Sequence, residues 1–349
     1  MAIGSYDREE LNELLEGRQF RKLRETMSEM NEVDIAEFIE ELEAEKKVLV
    51  YRMLPKELAA DVFSFLEVDD QEHIINSITD YELGKIVEDL YVDDAVDMLE
   101  ELPAIVVKRV LQNATPETRN LINQFLQYPE NSAGSIMTAE YIGLKRNMTV
   151  EQAFAYIREN GVDKETIYTC FVTDSKRCLQ GVVTVKDLLM NPYDTIIKDI
   201  MDENIIYAVT TEDREDVVET FNKYDLLCLP VVDHEDRLVG IVTVDDAMDV
   251  LTEAAAEDLS IMAAVTPDEK PYFAASAWEH ARHRVVWLLI LMLSAAITGS
   301  IITRYEDAIS AVPLLVAFLP MLMDTGGNCG SQSATLVIRG LALEEIRPR

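Results

Sequence analysis

Basic residues are scarce in this chain of 349 residues: 31 Lys and Arg stand against 65 Asp and Glu, a formal charge of −34. So large an acidic excess excludes a general DNA- or RNA-binding protein, because phosphate recognition needs basic patches. Cysteine is scarce too. Cys170, Cys178, Cys228 and Cys329 form no CxxC, and none pairs with a His at zinc-finger spacing, which argues against structural zinc. Buried, reduced thiols in a cytosolic compartment are expected instead. The four histidines (His73, His234, His280, His283) are scattered, with no Ser or Cys nucleophile paired to them, so an enzyme is not expected. The opening MAIGSYDREE is acidic and polar, unlike a secretory leader.

What is present is hydrophobic content, at 48% of residues, enough for packed cores rather than disorder. The length suits two or three domains. The charge is uneven. After residue 277 six acids balance six bases, so the whole excess lies in residues 1–277, and the last 72 residues are neutral and apolar. An acidic block of that size repels itself unless cations or partners neutralise it.

Residues 1–130 read as a helical domain with a 24-residue period. Met30, Leu54, Ile78 and Leu102 recur at that spacing, and each precedes a helix-opening residue: Asn31, Pro55, Thr79 and Pro103. Eight and nine residues on come Phe38-Ile39, Val62-Phe63, Ile86-Val87 and Val110-Leu111. Such a period predicts a superhelical stack in which each unit buries its apolar face on its neighbours. Pro is well tolerated in a first helical turn, which suits Leu-Pro as punctuation.

Between residues 131 and 245 the texture changes to strands. GVVTVKDLL (181–189) matches GIVTVDDAM (240–248) at an offset of 59. Each follows a hairpin with a polar turn, Asp174-Ser175-Lys176 in one and Asp233-His234-Glu235-Asp236 in the other. Upstream lie Ile136-Met137 and Ile200-Met201, then helices opened by Thr149 and Thr211. This order, with its G-h-h-T-x-x-D ending, resembles tandem CBS domains: a first unit over 131–195 and a second over 196–245. The resemblance implies two β-α-β-β-α units paired through their sheets, with a cleft that often takes adenine nucleotides. Carried over, the nucleotide candidates are Thr184 and Asp187, Thr243 and Asp246, and ATP is the possible ligand.

From residue 246 to about 270 a helix links this module to the apolar end. Asp246, Asp249, Glu253 and Glu257 step by 3, 4 and 4 along it, which makes one carboxylate stripe beside an apolar one of Met248, Leu251, Ala255, Leu259 and Met262. Val285–Thr303 then runs 19 residues without a charge, about 28 Å of helix and enough for a bilayer core. Arg282, His283 and Arg284 before it put the N-terminal side in the cytoplasm. A second apolar run, Ala308 to Leu343, is too long for one simple span and holds Pro313, Pro320 and DTGGNCGSQSAT. A break, kink or extension is expected at the glycines. Asp324, Asn328 and Gln332, four apart, can share a face, and an ionisable residue at membrane depth points to function.

An acidic helical repeat, tandem CBS units, a connecting helix and spans carrying GGNxGxQ resemble, in that order and over essentially the whole chain, the MgtE family of magnesium channels. The resemblance implies a homodimer in the cell membrane, multi-pass, with cytoplasmic N-terminal domains that bind several Mg²⁺ ions. It also implies that the connecting helix (246–270) plugs the pore of the membrane segment (278–349) when magnesium is plentiful. The metal candidates it gives are Asp61 in LPKELAAD, Asp93 and Asp97 in VDDAVD, Glu215 and Asp225 in the second CBS unit, and Asp246, Asp249 and Glu257 on the connecting helix. Asn328 is the family-like pore group, with Gln332 and Asp324 beside it. Family members have five spans and this sequence holds about two, so transport is expected of a longer protein and sensing of these residues. The same order also fits a membrane-tethered CBS regulator of adenine nucleotide status.

Overall fold

The computed structural model describes residues 8–263, 265–266, 276–307, 314–342 and 346. The chain divides into two compact units, one up to Ala247 and one from Met248.

The first unit opens with α1 (Arg8–Glu16) and α2 (Phe20–Met27), followed by the repeat as two helices per period. These are α3 (Glu32–Glu40) and α4 (Ala44–Tyr51), α5 (Lys56–Ser64) and α6 (Val68–Ser77), α7 (Asp80–Asp89) and α8 (Val92–Glu101), and α9 (Ala104–Asn113) and α10 (Pro116–Phe125). Asn31, Pro55, Thr79 and Pro103 occupy the N-caps of α3, α5, α7 and α9, as the period predicts. Met30, Leu54, Ile78 and Leu102 are buried before them. Each helix packs on the helix two further along, α3 on α5 on α7 on α9 and α4 on α6 on α8 on α10. A stack of this kind buries apolar surface at about 25 cal/mol per Å², and Ile39, Val62, Val87 and Val110 carry that burial in successive periods. Arg109 stitches neighbouring periods by donating to the Ile78 carbonyl at 2.8 Å and to Asp80 Oδ1 at 2.9 Å.

The strand module follows. The first sheet joins β1 (Ile142–Lys145), β2 (Thr169–Thr173) and β3 (Leu179–Thr184), with α11 (Val150–Asn160) and α12 (Val185–Met190). The second joins β4 (Ala208–Val209), β5 (Cys228–Val232) and β6 (Leu238–Thr243), with α14 (Arg214–Tyr224) and the start of α15 (Val244–Met262), while the short α13 (Ile197–Ile200) packs in the core of the first. Both sheets pair their first two strands parallel and their last two antiparallel. The offset of 59 reappears as register: Thr169 faces Thr184 and Val172 faces Gly181, as Cys228 faces Thr243 and Val231 faces Gly240. The units interlock. Residues 133–138 bond to the second sheet, with Thr138 and Ile241 exchanging bonds of 2.8 and 2.9 Å. Asp202 and Val182 make the matching exchange with the first, at 2.9 and 3.0 Å. Phe171, Cys228, Leu238 and Ile241 form the shared core, against Tyr141, Leu179 and Val182.

Thr149 caps α11 with a full capping box, as expected. Thr211 does not open α14. Asp213 is its N-cap, accepting from the Glu215 N–H, while the backbone of Thr210 and Glu212 is committed to Val232 and Val209. Of the thiols, Cys170 and Cys228 are buried as expected, but Cys178 is half-buried and Cys329 exposed.

The second unit carries the rest of α15 and two long helices, α16 (Ala277–Arg304) and α17 (Leu314–Ala342). α16 opens on a capping box between Ser276 and Glu279, and its apolar residues from Val285 to Ile302 lie on the surface. Among the described residues it is the helix long and apolar enough to cross a membrane. The glycine-rich stretch is not a break: α17 runs unbroken through Pro320 and GGNCG. Thr325 and Ser333 return their hydroxyls to the Met321 and Cys329 carbonyls within it. Residues 308–313, including Pro313, lie outside the described residues, as do 267–275.

Candidate metal centre

α8 begins with Asp93 and Asp94 because acids favour a helix N-terminus. Its apolar residues Val92, Ala95, Val96, Met98 and Leu99 are buried in the stack, which leaves Asp93, Asp94 and Asp97 on the opposite face. That face meets two stretches of the strand module. One is the start of α15, where Asp245 and Asp246 fill the first turn. The other is the pair of loops before β1 and β2, which hold Glu140 and Glu165. The Glu165 N–H donates to the Glu140 carbonyl at 2.9 Å, and Thr138 Oγ1 donates to Glu140 Oε2.

The electrostatics record how closely these carboxylates crowd. Burial pushes Asp93 well above the usual carboxylate range, and Asp246, Asp94, Glu165 and Glu140 push it further. Asp94 rises to about 6 through burial, then Asp246, Asp61, Glu140 and Asp245. Burial and the charges of Asp245, Asp246, Asp94 and Glu140 lift Glu165 to about 7. Asp97 also rises to about 7, through crowding by protein and then Asp94, Glu100 and Asp246. Its side chain nonetheless opens to solvent at the rim, so water tempers that push. Tyr91, the N-cap of α8, is carried to about 12 by burial and by Glu165, Asp61, Glu140 and Asp93. Two carboxylates about 4 Å apart repel by about 4 kcal/mol at an effective dielectric of 20.

One atom stands out. Asp93 Oδ1 is shut off from solvent and accepts no hydrogen bond. A buried, unpaired acceptor costs about 1–3 kcal/mol, more for a charged group, so this oxygen is poised for a cation or a proton. The charged groups that push on Asp93 are all carboxylates, Asp246, Asp94, Glu165 and Glu140, the ligand type a hard cation takes. Among the described residues, no group of three or more His, Cys, Asp or Glu side chains is placed to hold a metal ion.

The expected metal residues divide accordingly. Asp93, Asp97 and Asp246 come together. Asp61 on α5 lies near, raised by burial and by Glu32 and Asp89, and its charge is felt by Asp94. Glu215 sits in the first turn of α14, and Asp225 is its left-handed C-cap (φ 51°), exposed. Neither is among the groups that shift the cluster. Asp249 and Glu257 lie on exposed turns of α15 in the second unit. Asp94, Glu140 and Glu165 were not anticipated. Asp94 could have been found, because it adjoins Asp93 at the same helix start. Glu140 and Glu165 carry no local signal, and only the parallel pairing of Ile142 with Cys170 brings their loops together.

The G-h-h-T-x-x-D motif turns out to be a helix cap. Thr184 and Asp187 form a capping box at α12. Thr243 Oγ1 donates to Asp246 Oδ2 at 2.6 Å at the start of α15. A cleft of about 540 Å³ opens between Arg146, Gln180, Glu203, Tyr207 and Glu235, but none of Thr184, Asp187 and Thr243 lines it. On α17, Asn328 Nδ2 donates to Asp324 Oδ2 at 3.4 Å, so those two do share a face, with Gln332 one turn on.

The chain is similar to known proteins along most of its length. Residues 30–131 match the MgtE intracellular N domain, 133–193 and 197–253 match CBS domains, and 319–349 match a divalent cation transporter. The magnesium transporter MgtE of Thermus thermophilus is 38% identical over 340 residues, covering 96% of this chain and 75% of that protein. Its counterpart in Enterococcus faecalis is 34% identical, over 96% and 74%. Among solved structures, the soluble part of a magnesium transporter aligns over 71% of this chain and 98% of its own, with a TM-score of 0.68 at 32% identity. The cytosolic domain of the Mg²⁺ channel MgtE in complex with ATP aligns over 70% and 99%, with a TM-score of 0.66 at 37% identity.

Proposed function

The chain belongs to the MgtE family of magnesium transporters, and from that premise we propose that it is a transporter subunit whose acidic domains sense Mg²⁺ and close the pore through α15. The observation that carries the sensing step is the orphaned Asp93 Oδ1 inside a ring of carboxylates from α8, the β1 and β2 loops and the start of α15. Without a cation these surfaces repel. A hydrated Mg²⁺ bridges carboxylates from separate elements without a dedicated cage, so binding draws the helical repeat onto the strand module and fixes the first turn of α15. Asp249 and Glu257 extend the acidic stripe along that helix, with Glu215 and Asp225 as further ligands. Several weak sites sharing one closed state couple to the gate cooperatively, and reciprocally.

In the membrane, α16 spans the bilayer and α17 contributes Asn328, Asp324 and Gln332 to the ion path of a multi-pass homodimer. Arg282 and Arg284 before α16 keep the preceding domains cytoplasmic. ATP is proposed as a second ligand of the CBS pair. Like charge keeps a triphosphate away from the Thr243–Asp246 corner, where Asp93, Glu140 and Glu165 gather, and leaves the Thr184–Asp187 corner. Transporter relatives over nearly the whole chain disfavour a nucleotide regulator merely tethered to the membrane.

The test is a Mg²⁺ titration of the whole chain in detergent, following limited proteolysis, with Na⁺ at matched ionic strength. Protection at millimolar Mg²⁺, lost in D93A/D97A/D249A, supports sensing. Cleavage indifferent to Mg²⁺ overturns it.

A further inference from the structure

α9 ends its row of the helical stack with an outer face that is apolar and basic, in a chain whose net charge is −34. The helix packs on α7 and α6, and Val106 and Val110 are the residues it buries. Ala104, Val107, Lys108 and Leu111 step by 3, 1 and 3, which sets them on the opposite side, where a further helix of the stack would lie. After α10 the chain turns into the strand module instead. A repeat array ordinarily closes on a polar outer face. Here a groove of about 490 Å³ opens, lined by Leu102, Ala104, Val107 and Leu111 together with Lys108 and Arg119. Ile105, one turn before Lys108, is 82% exposed.

The charge of this corner runs against that of the chain. α9 alone among α1 to α10 holds no Asp or Glu. Its Arg109 is spent on Asp80 and the carbonyls of Ile75 and Ile78. Lys108 is exposed. Arg119 is held by backbone, with Nη2 donating to the Ala114 carbonyl at 2.9 Å and the Gln112 carbonyl at 3.3 Å, while its Nε is shut off from solvent without an acceptor. Neither Lys108 nor Arg119 has a carboxylate partner among the described residues.

We propose that this groove docks an acidic amphipathic helix of another protein, its apolar side chains against Leu102, Val107 and Leu111 and its carboxylates against Lys108 and Arg119. The proposal is independent of Mg²⁺ sensing. An apolar groove rimmed by charge marks an interaction site, and a helix lies in one through anchors at i, i+3 or i+4, and i+7. Charge selects the occupant, because complementary potentials steer partners together and like charges reject wrong ones. A second copy offering the same face would set Lys108 and Arg119 against their own images. A second copy stacked head to tail would offer α1, whose Leu11, Leu14 and Leu15 are already buried and whose exposed residues are all polar.

The probe is a fluorescein-labelled peptide of about 18 residues, long enough to be helical, with Leu on one face and Glu on the other. A twin carries Ala in place of each Leu. Fluorescence anisotropy reads binding to the whole chain in detergent with EDTA, for wild type, Lys108→Glu/Leu111→Gln and Lys176→Glu. The last reverses one charge at an exposed site of the strand module. The expected result is saturable binding of the Leu peptide and none of the Ala twin. Affinity should fall at least about tenfold in K108E/L111Q, about 1.4 kcal/mol, and stay unmoved in K176E. Equal affinity in all three proteins puts the peptide elsewhere, on detergent or another surface, and overturns the proposal, as does a wild type that binds neither peptide. A molar mass by light scattering that falls in K108E/L111Q without peptide shows that copies of this chain cover the groove, and overturns an outside occupant. Should the double variant not fold, Lys108→Glu alone changes an exposed side chain. Weaker binding there supports the groove, and unchanged binding overturns it.

Discussion

Thr243 donates its hydroxyl to Asp246 Oδ2 at 2.6 Å, so the carboxylate that α15 presents to the acidic cluster is fixed by the turn that starts the helix. The fold and the proposed sensor share one residue there. At the equivalent corner of the first unit, Thr184 donates likewise to Asp187 Oδ2, in a full capping box that does not join the cluster. Thr243→Val and Thr184→Val should therefore each cost about 1 kcal/mol of stability, the usual value of a lost cap. Only Thr243→Val should also raise the Mg²⁺ midpoint for protease protection, because it frees Asp246 to turn away. Equal Mg²⁺ responses in the two variants would count against a positioning role for Thr243.

Asp93→Asn separates charge from shape. In EDTA it removes a buried, repelling carboxylate from among Asp94, Asp246 and Glu165, so the variant should melt higher than wild type by a few degrees. With Mg²⁺ the order should reverse, because wild type gains from binding and the variant has lost the acceptor at the centre. Thermal melts with EDTA and with millimolar Mg²⁺ check both halves. A variant less stable than wild type in EDTA would mean that Asp93 is held by its surroundings rather than strained by them.

The same crowding gives a pH dependence with a definite sign. Asp94 rises to about 6 and Glu165 to about 7 in the folded chain, while carboxylates in unfolded chains titrate near 4. Between those limits the folded form binds more protons than the unfolded one, so stability falls as pH rises through the window. Without divalent ions, the melting temperature should climb as pH drops from 8 to about 5.5. Saturating Mg²⁺ should flatten the slope, since the ion replaces the protons. A melting temperature in EDTA that falls over this range would contradict the clustering.

Much of this was legible in the residues because it repeats. A period of 24 named the caps Asn31, Pro55, Thr79 and Pro103, since turn chemistry is local. The offset of 59 became strand register for the same reason, with both hairpins turning on an Asp that accepts from the backbone two residues on. Asp93, Asp97 and Asp246, which the structure gathers in one acidic cluster, were expected through resemblance. Glu140 and Glu165 could not be, because their meeting is a product of β1 pairing with β2 across the intervening α11. Thr211 was mistaken for a cap because Asp213, two residues on, offers an equally good acceptor nearer the first helical turn. The glycines of α17 suggested a break, kink or extension because glycine costs about 1 kcal/mol per residue in an exposed soluble helix. In the structure the helix nonetheless runs unbroken from Leu314 to Ala342.

The glycine of the repeated motif makes the last prediction. A Cβ at Gly240 would lie 2.6 Å from the Thr138 carbonyl oxygen and 2.9 Å from Met137 Sδ. At Gly181 it would lie 2.8 Å from Met201 Sδ and 3.1 Å from the Asp202 carbonyl. In the first case backbone must move; in the second a flexible methionine can yield. Overpacking of this kind costs about 1–3 kcal/mol, so Gly240→Ala should be the more destabilising of the two. The effects should also differ in kind. Thr138 pairs with Ile241 beside Gly240, and its hydroxyl holds Glu140 on the wall facing α8. Displacing Thr138 therefore moves Glu140, and Gly240→Ala should need more Mg²⁺ for protection, whereas Gly181→Ala should lose stability alone. Melting curves and the Mg²⁺ midpoint, measured on both variants, decide it. A raised midpoint in Gly181→Ala and none in Gly240→Ala would show that the wall of the sensor is held from somewhere other than the crossover at Thr138.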